Sequence, residues 1–317
     1  MVWEKYINGF KSYILLEKGQ AKNTLTSYLL DLNKFFTFMN ETYPEIVPYT
    51  TKHEHISQFI NYINGTSNVT NNILKQKQNR KIKPSTQNRI IASLRAFFKF
   101  LLLENETESD PTDFIERAKL PEKLPEVLSN DEVNRLLNAC DKSTYHGFRN
   151  YVIIEVLYST GIRISELLNL KISDVFFKEE FIRVIGKGNK ERLVPMGKIA
   201  LKQLKIYIEK WRNQIAIAPK NEMIIFLTHK GKKISRQFIF SVLKDIASKA
   251  GITKNVYPHI LRHSFATELV SRGANIMAVK DMMGHSSVRS TEIYTNFDTA
   301  TIRETLMLYH PLYNKKK

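Results

Sequence analysis

The chain has 317 residues, 43% of them hydrophobic, and carries 48 Lys and Arg against 31 Asp and Glu, a formal charge of +17. That length fits about two domains with full-sized cores, and so large a positive excess points to a polyanion, nucleic acid before anionic membrane. No apolar run approaches the roughly 20 residues that span a bilayer, the opening Met1, Trp3, Glu4 and Lys5 lack a signal-peptide pattern, and the single cysteine, Cys140, leaves no intrachain disulfide or cysteine-rich zinc site. The expected compartment is therefore the cytoplasm, with no membrane partner.

The first region reads as helical. Asn23-Thr24 offers an N-cap ahead of Leu25, Tyr28, Leu29, Leu32, Phe35 and Phe36, which recur at helical spacing. Ser57 to Ile63 predicts a short helix, and Gly65 to Asn72 a polar loop. Pro84-Ser85 opens another helix with an apolar stripe of Ile90, Leu94, Phe97, Phe98, Leu101 and Leu102, and with Arg89, Arg95 and Lys99 on its other face. From Lys75 to Lys99 there are eight basic residues and no acidic one. Such a run is commonly just a solvated face. Residues 119–317 are nonetheless far more basic, with 33 Lys and Arg against 19 Asp and Glu, so two separate basic surfaces resemble two jaws on one polyanion.

"AKLPEKLPEVLS", Ala118 to Ser129, has two prolines four residues apart and reads as an extended linker. The expected division is a helical domain over 1–117, a linker over 118–128 and a second domain over 129–317. Ser129 and Glu132 form a capping-box signature that opens the next helix. Arg149 to Tyr158 reads as a buried helix broken by Ser159-Thr160-Gly161, and Arg163 starts another. "FIRVIGKGNKERLVPM" is a hairpin around a Gly-Lys-Gly-Asn turn. Helices follow near 198–211, 235–250, 259–272 and 275–283, with Gly284 where a helix-terminating glycine belongs. The fold class is mainly α with a small β-sheet in the second domain.

The sequence has no GxxxxGK[ST] phosphate loop, no HExxH and no acidic cluster able to hold two magnesium ions, so two-metal chemistry is not supported and neither a metal nor another cofactor is expected. Cutting DNA would then fall to cationic side chains. The second region supplies Arg163 after a glycine turn, Lys187 in the hairpin turn, His259 and Arg262 one helical turn apart, His285 after Gly284, and Tyr294 nine residues on. Singly, each has a plainer reading: a solvated charge, a chance HxxR pair, a tight turn, a packing tyrosine.

Together they resemble the catalytic domain of the tyrosine recombinases. The matching stretches are "LYSTGIRISELLNL", "VIGKGNKERLVPMG", "PHILRHSFATELVSRGANIMAVKDMMGHSS" and "TEIYTNF", in the family's order and spacing. "NTLTSYLLDLNKFFTFM" and "STQNRIIASLRAFFKFLLLEN" resemble the family's helical DNA-clamping domain, so the likeness covers nearly the whole chain. It is strongest to the Xer-type site-specific recombinases, through the hairpin and the closing "LYHPLYN". "DMMGH" departs from the commoner leucine pair, and Glu268 stands where the family often has histidine.

The resemblance implies a SAM-like core-binding domain and an α+β catalytic domain closing as a C-shaped clamp. It makes Arg163 and Arg262 the paired arginines, His259 and His285 the two histidines, Lys187 the hairpin lysine and Tyr294 the nucleophile. Glu155 matches an acidic position that supports the first arginine. Arg89, Arg95, Lys99, Lys190 and Arg192 are the expected DNA contacts. The implied activity is metal- and ATP-independent cutting and rejoining of duplex DNA through a 3′-phosphotyrosyl bond, as in resolution of chromosome dimers at cell division. The implied substrate has two inverted half-sites. It is bound by a homo- or hetero-tetramer in a cyclic arrangement, with a paralogous recombinase and a DNA translocase as candidate partners. Thr299 to Tyr309, with Ile302, Leu306 and Tyr309 at helical spacing, would be the helix that docks into a neighbouring protomer. An integrase of a phage or mobile element would share the chemistry, and a DNA-binding protein without catalysis is the reading from another class.

Overall fold

A computed structural model of the chain describes residues 3–18, 22–66, 82–119, 126–186, 190–284 and 299–312. The chain forms two compact units, Met1–Lys123 and Leu124–Lys317. No helix among the described residues is long and apolar enough to cross a membrane.

The regular elements among the described residues of the first unit are helices: α1 (Ile7–Ser12), continued by a wider turn over Tyr13–Glu17, α2 (Lys22–Thr42), α3 (His53–Ile63) and α4 (Pro84–Leu103). Its core is aromatic. Trp3 stands edge-on to Phe35 at 5.4 Å and stacks on Phe36 at 5.6 Å, while Phe97 and Phe98 from α4 close over the same rings. Such pairs add about 0.5–1.5 kcal/mol each beyond their burial. Helix α1, which the sequence pattern does not announce, delivers Phe10 to this cluster. Helix α3 begins four residues earlier than its apolar spacing predicts. The backbone N–H of Lys52 donates to Nδ1 of His55 at 3.0 Å, so a histidine closes the helix start where a glutamate is the usual signal. The α4 stripe is buried as expected except for Leu102, which is exposed.

In the second unit the capping box at Ser129 and Glu132 opens α5 (Asn130–Asn138): Oγ of Ser129 accepts from the Glu132 N–H at 3.2 Å, and the carboxylate accepts from the Ser129 N–H at 2.7 Å. Helix α6 (Tyr145–Thr160) is buried on almost every side from Phe148 onward, which explains why its sequence shows no amphipathic stripe. It ends later than predicted. The hydroxyls of Ser159 and Thr160 donate back to the Val156 carbonyl and both residues remain helical. The break falls on Gly161, at φ +61°, and a Cβ there would lie 2.4 Å from the Phe265 ring. Only glycine allows both that backbone and the close approach of the helix that carries Phe265.

Helix α7 (Ile164–Asn169) follows, then an antiparallel sheet of β1 (Val175–Phe176), β2 (Phe181–Ile185) and β3 (Glu191–Pro195), in that order, with Arg183 opposite Leu193 and Ile185 opposite Glu191. The strand β1 is too short for its alternation to be legible in sequence. The remaining helices are α8 (Lys198–Ile206), α9 (Arg236–Lys249), α10 (Pro258–Ser271), α11 (Ile276–Met283) and α12 (Thr299–Tyr309). Gly284 ends α11 at φ +63°.

The helix expected to dock into a neighbour lies in this chain on its own unit. Leu306 is fully buried in the second core and Leu312 nearly so, whereas Met307 and Leu308 face outward. The side chain of Ile302 is outside the described residues. His310 anchors the tail: its Nε2 meets the Tyr158 carbonyl at 3.1 Å and its Nδ1 accepts from the Leu312 N–H at 3.2 Å. Burial pushes its pKa down to about 4, against the smaller raising effects of the Tyr158 carbonyl and Glu268. The neutral imidazole is therefore the native form. Below the unfolded value near 6.5 the unfolded chain takes the proton first, so stability falls as pH drops from about 6.5 to about 4. Wild type should lose on the order of 3 kcal/mol more than His310→Gln across that window in urea unfolding. Equal losses would show that the tail imidazole does not titrate out of a buried neutral state.

Candidate active site

Helix α7 begins at Arg163 because Glu166, three residues on, turns its carboxylate back to the Arg163 backbone N–H at 2.8 Å. The same carboxylate accepts from Nη1 of Arg163 at 3.0 Å. It also receives a two-pronged pair from β3, with Arg192 donating Nη1 and Nη2 at 2.8 and 2.9 Å. Glu166 is 4% exposed. Burial alone would raise its pKa, but the bonds from Arg192 and Arg163 outweigh it and hold the carboxyl below the usual range.

Arg262 comes from α10 and is 4% exposed. It donates Nη1 to the Gly161 carbonyl and Nη2 to the Met283 carbonyl. Burial pushes its pKa down to about 10, with Arg163 and Arg192 pushing the same way and Glu166 opposing, so it stays charged at neutral pH. Arg163 donates Nη2 to the Gly284 carbonyl at 2.8 Å, and Arg192 donates Nε to the Met282 carbonyl at 3.2 Å. Three guanidinium groups thus meet three successive carbonyls at the C-terminal end of α11. Those carbonyls have no partner within their own helix and carry the negative end of its dipole. A Cβ on Gly284 would lie 3.1 Å from the Arg192 guanidinium carbon, so the backbone at φ +63° favours glycine and a side chain there would crowd the guanidinium as well.

The structure therefore brings together Arg163 and Arg262. His259 is exposed at the start of α10, one turn before Arg262. Lys187, His285 and Tyr294 lie outside the described residues. In sequence they follow Gly186, Gly284 and the 285–293 stretch, so two of the three adjoin described parts of this site. The carboxylate against Arg163 is Glu166 and not the expected Glu155. Glu155 sits buried on α6, one turn from Tyr151. The Arg163–Glu166 spacing is itself a capping-box pattern, the signal by which the sequence could have disclosed it.

The expected DNA contacts divide. Lys190 is exposed. Arg192 points inward, with its side chain 17% exposed and its fork on Glu166. In the first unit, Arg89 reaches the fully buried Asp31 at 2.6 Å with its own side chain 42% exposed. Arg95 donates to the Ile115 carbonyl at 2.6 Å, and with Lys18 and Lys99 it lines a cavity of about 240 Å³ beside Tyr13 and Tyr28.

Residues 126–300 match the phage integrase family and residues 7–105 match the N-terminal SAM-like domain of phage integrases. The chain is 35% identical over 305 residues to the tyrosine recombinase XerD of Listeria innocua, covering 96% of this chain and 98% of that protein. It is 36% identical over 310 residues to that of Staphylococcus aureus, covering 97% and 99%. Among solved structures, the XerH site-specific recombinase bound to a palindromic difH substrate is 25% identical with a TM-score of 0.66, over 90% of this chain and 79% of that one. The Tn1549 transposon integrase, at 20% identity, shares the fold with a TM-score of 0.67 over 94% of this chain and 97% of that one. The chain belongs to the phage integrase family. It is a tyrosine-type site-specific DNA recombinase of Xer-like sequence.

Because Glu166 neutralises two guanidinium groups in a nearly dry setting, Glu166→Ala should lower unfolding stability by about 2–4 kcal/mol, less than a fully buried pair because the Arg163 side chain is partly exposed. Chemical denaturation measures this. A loss within about 0.5 kcal/mol, typical of a surface substitution, would mean the arginines repel one another too weakly to need it.

Proposed function

We propose that Tyr294 attacks the scissile phosphodiester and that Arg163 and Arg262 clamp its non-bridging oxygens. The observation that carries this reading is the convergence of the two arginines on the end of α11, next in sequence to His285. A tyrosine phenol titrates near 10, so attack at neutral pH needs assistance. Charge builds on the non-bridging oxygens as the phenolic oxygen bonds to phosphorus. Guanidinium forks match those oxygens and stay charged at neutral pH, which lets them do what a metal clamp does elsewhere. His259 accepts the phenolic proton, His285 hydrogen-bonds the phosphate, and Lys187 protonates the departing 5′-oxygen. The 3′-phosphotyrosyl bond conserves the energy of the phosphodiester. A second 5′-hydroxyl reverses the step, so the scheme needs neither metal nor ATP.

The substrate on this reading is duplex DNA with two inverted half-sites, a reading supported by the palindromic substrate of the XerH relative. Coordinated cutting of four strands calls for four protomers in a closed head-to-tail ring. The biological role we infer is resolution of chromosome dimers in the cytoplasm, supported by the extent of likeness to XerD proteins. Arg89, Arg95, Lys99 and Lys190 are the proposed backbone contacts. In this scheme the α12 helix must leave its own core to dock on a neighbour, and a paralogous recombinase and a DNA translocase are the candidate partners.

A nicked suicide substrate tests the chemistry. Wild type should become covalently trapped, and Tyr294→Phe should bind with nearly unchanged affinity, since phosphate contacts dominate binding, yet form no adduct. An adduct mapped by mass spectrometry to Tyr309 or Tyr313 would refute the assignment. Lys187→Ala should cleave ordinary DNA poorly and recover on a 5′-bridging phosphorothiolate, whose leaving group needs no proton. Equal defects on both substrates would make Lys187 a binding residue only.

A further inference from the structure

We propose that Arg192 is a positioning residue that keeps Arg163 available to the phosphate by occupying Glu166. This rests on Arg163 being part of the proposed clamp. A buried carboxylate beside an arginine ordinarily takes its fork in two parallel bonds. Here that two-pronged position belongs to Arg192, at 2.8 and 2.9 Å. Arg163 donates a single side-chain bond of 3.0 Å to Oε1 and one from its backbone N–H to Oε2. Its Nη2 is thereby directed away from Glu166 to the Gly284 carbonyl, beside Arg262 on Met283.

Arg192 is itself fixed at both ends of its reach. Its Nε donates to the Met282 carbonyl, and the strand that carries it pairs with β2, Val184 opposite Arg192. The pair also lies beneath the start of the loop that joins the strands. A Cβ on Gly186 would be 3.6 Å from both Nη1 of Arg192 and Oε1 of Glu166. Without Arg192, Glu166 is left with Arg163 as its one hydrogen-bonded cation among the described residues. The two then close into the ordinary two-pronged pair, which draws the Arg163 fork off the α11 end and away from where a phosphate would sit. Arg192 has no such effect if it is a DNA contact, and its 17% exposure argues against that role.

The experiment is single-turnover cleavage of the nicked suicide substrate at saturating protein, with half-site affinity and its salt dependence measured in parallel. Arg192→Gln should cleave about 100-fold more slowly, the scale of a misplaced reacting group. Its half-site affinity and salt slope should stay at the wild-type values, whereas loss of a phosphate contact reduces the slope by about 1. A phosphorothiolate leaving group should not restore the rate, because the defect is at the clamp. Adding Glu166→Gln to Arg192→Gln should slow cleavage no further, since the carboxylate that captures Arg163 is gone. Arg192→Lys, which keeps the charge without the fork, guards against a variant that fails to fold and should lie between the two.

Reduced affinity and salt slope with normal cleavage at saturation would make Arg192 a DNA contact. Recovery on the phosphorothiolate would place its effect at the leaving group. Multiplying defects in the double variant would mean that it does not act through Glu166. Each of these overturns the proposal. Failure of wild type itself to form the adduct would instead strike the underlying functional reading.

Discussion

The second unit is organised around the C-terminal end of α11. Three carbonyls there, from Met282, Met283 and Gly284, each accept from a different arginine, contributed by β3, α10 and the start of α7. Like charges so close repel strongly in a poorly hydrated setting. They are held by one buried carboxylate, Glu166, and by the dipole of the helix they cap. Sheet, α7, α10 and α11 are thus tied to one another by polar contacts at a single place, while the apolar core around α6 holds the same elements from the other side. The result is a fixed concentration of positive charge that exists before any DNA arrives. That preorganisation is what an anionic transition state exploits.

The glycines at the site follow from this constraint. Gly161 lets the chain turn sharply under the Phe265 ring so that its carbonyl meets Arg262. Gly284 lets Arg192 lie against the end of α11. A side chain at Gly284 would press on the Arg192 guanidinium and one at Gly161 on the Phe265 ring, so each glycine serves the packing around the charge cluster as much as the turn.

Much of the fold was legible in the sequence, for identifiable reasons. The helices from α4 onward carry strong signals: Pro84 at a first turn, the Ser129–Glu132 box, glycine after α11. What escaped lacked such marks. Helix α1 is short, α3 is capped by a histidine, and β1 has two residues. The candidate arginines were legible as a pattern; of the groups that hold them, Glu166 was marked only by its capping-box spacing and Arg192 by nothing. Glu155 precedes Arg163 on α6 and Glu166 follows it on α7, and the capping box at the start of α7 puts the second against the guanidinium. Arg192 looked like one more basic residue in a basic hairpin. That it points inward follows from strand register, which alternation along five residues does not fix when both faces carry charge.

The central claim is that Arg163 and Arg262 act by offsetting charge on the scissile phosphate. The most direct measurement compares wild type and Arg163→Ala on two suicide substrates, one with the ordinary phosphate and one with a neutral methylphosphonate at the scissile position. On the ordinary substrate the variant should be slower by about 100-fold or more, the scale of a lost oxyanion donor. On the methylphosphonate, which has one charge fewer to offset, that gap should largely close. A gap of the same size on both substrates would show that Arg163 only holds the end of α11 in place, and would contradict the account.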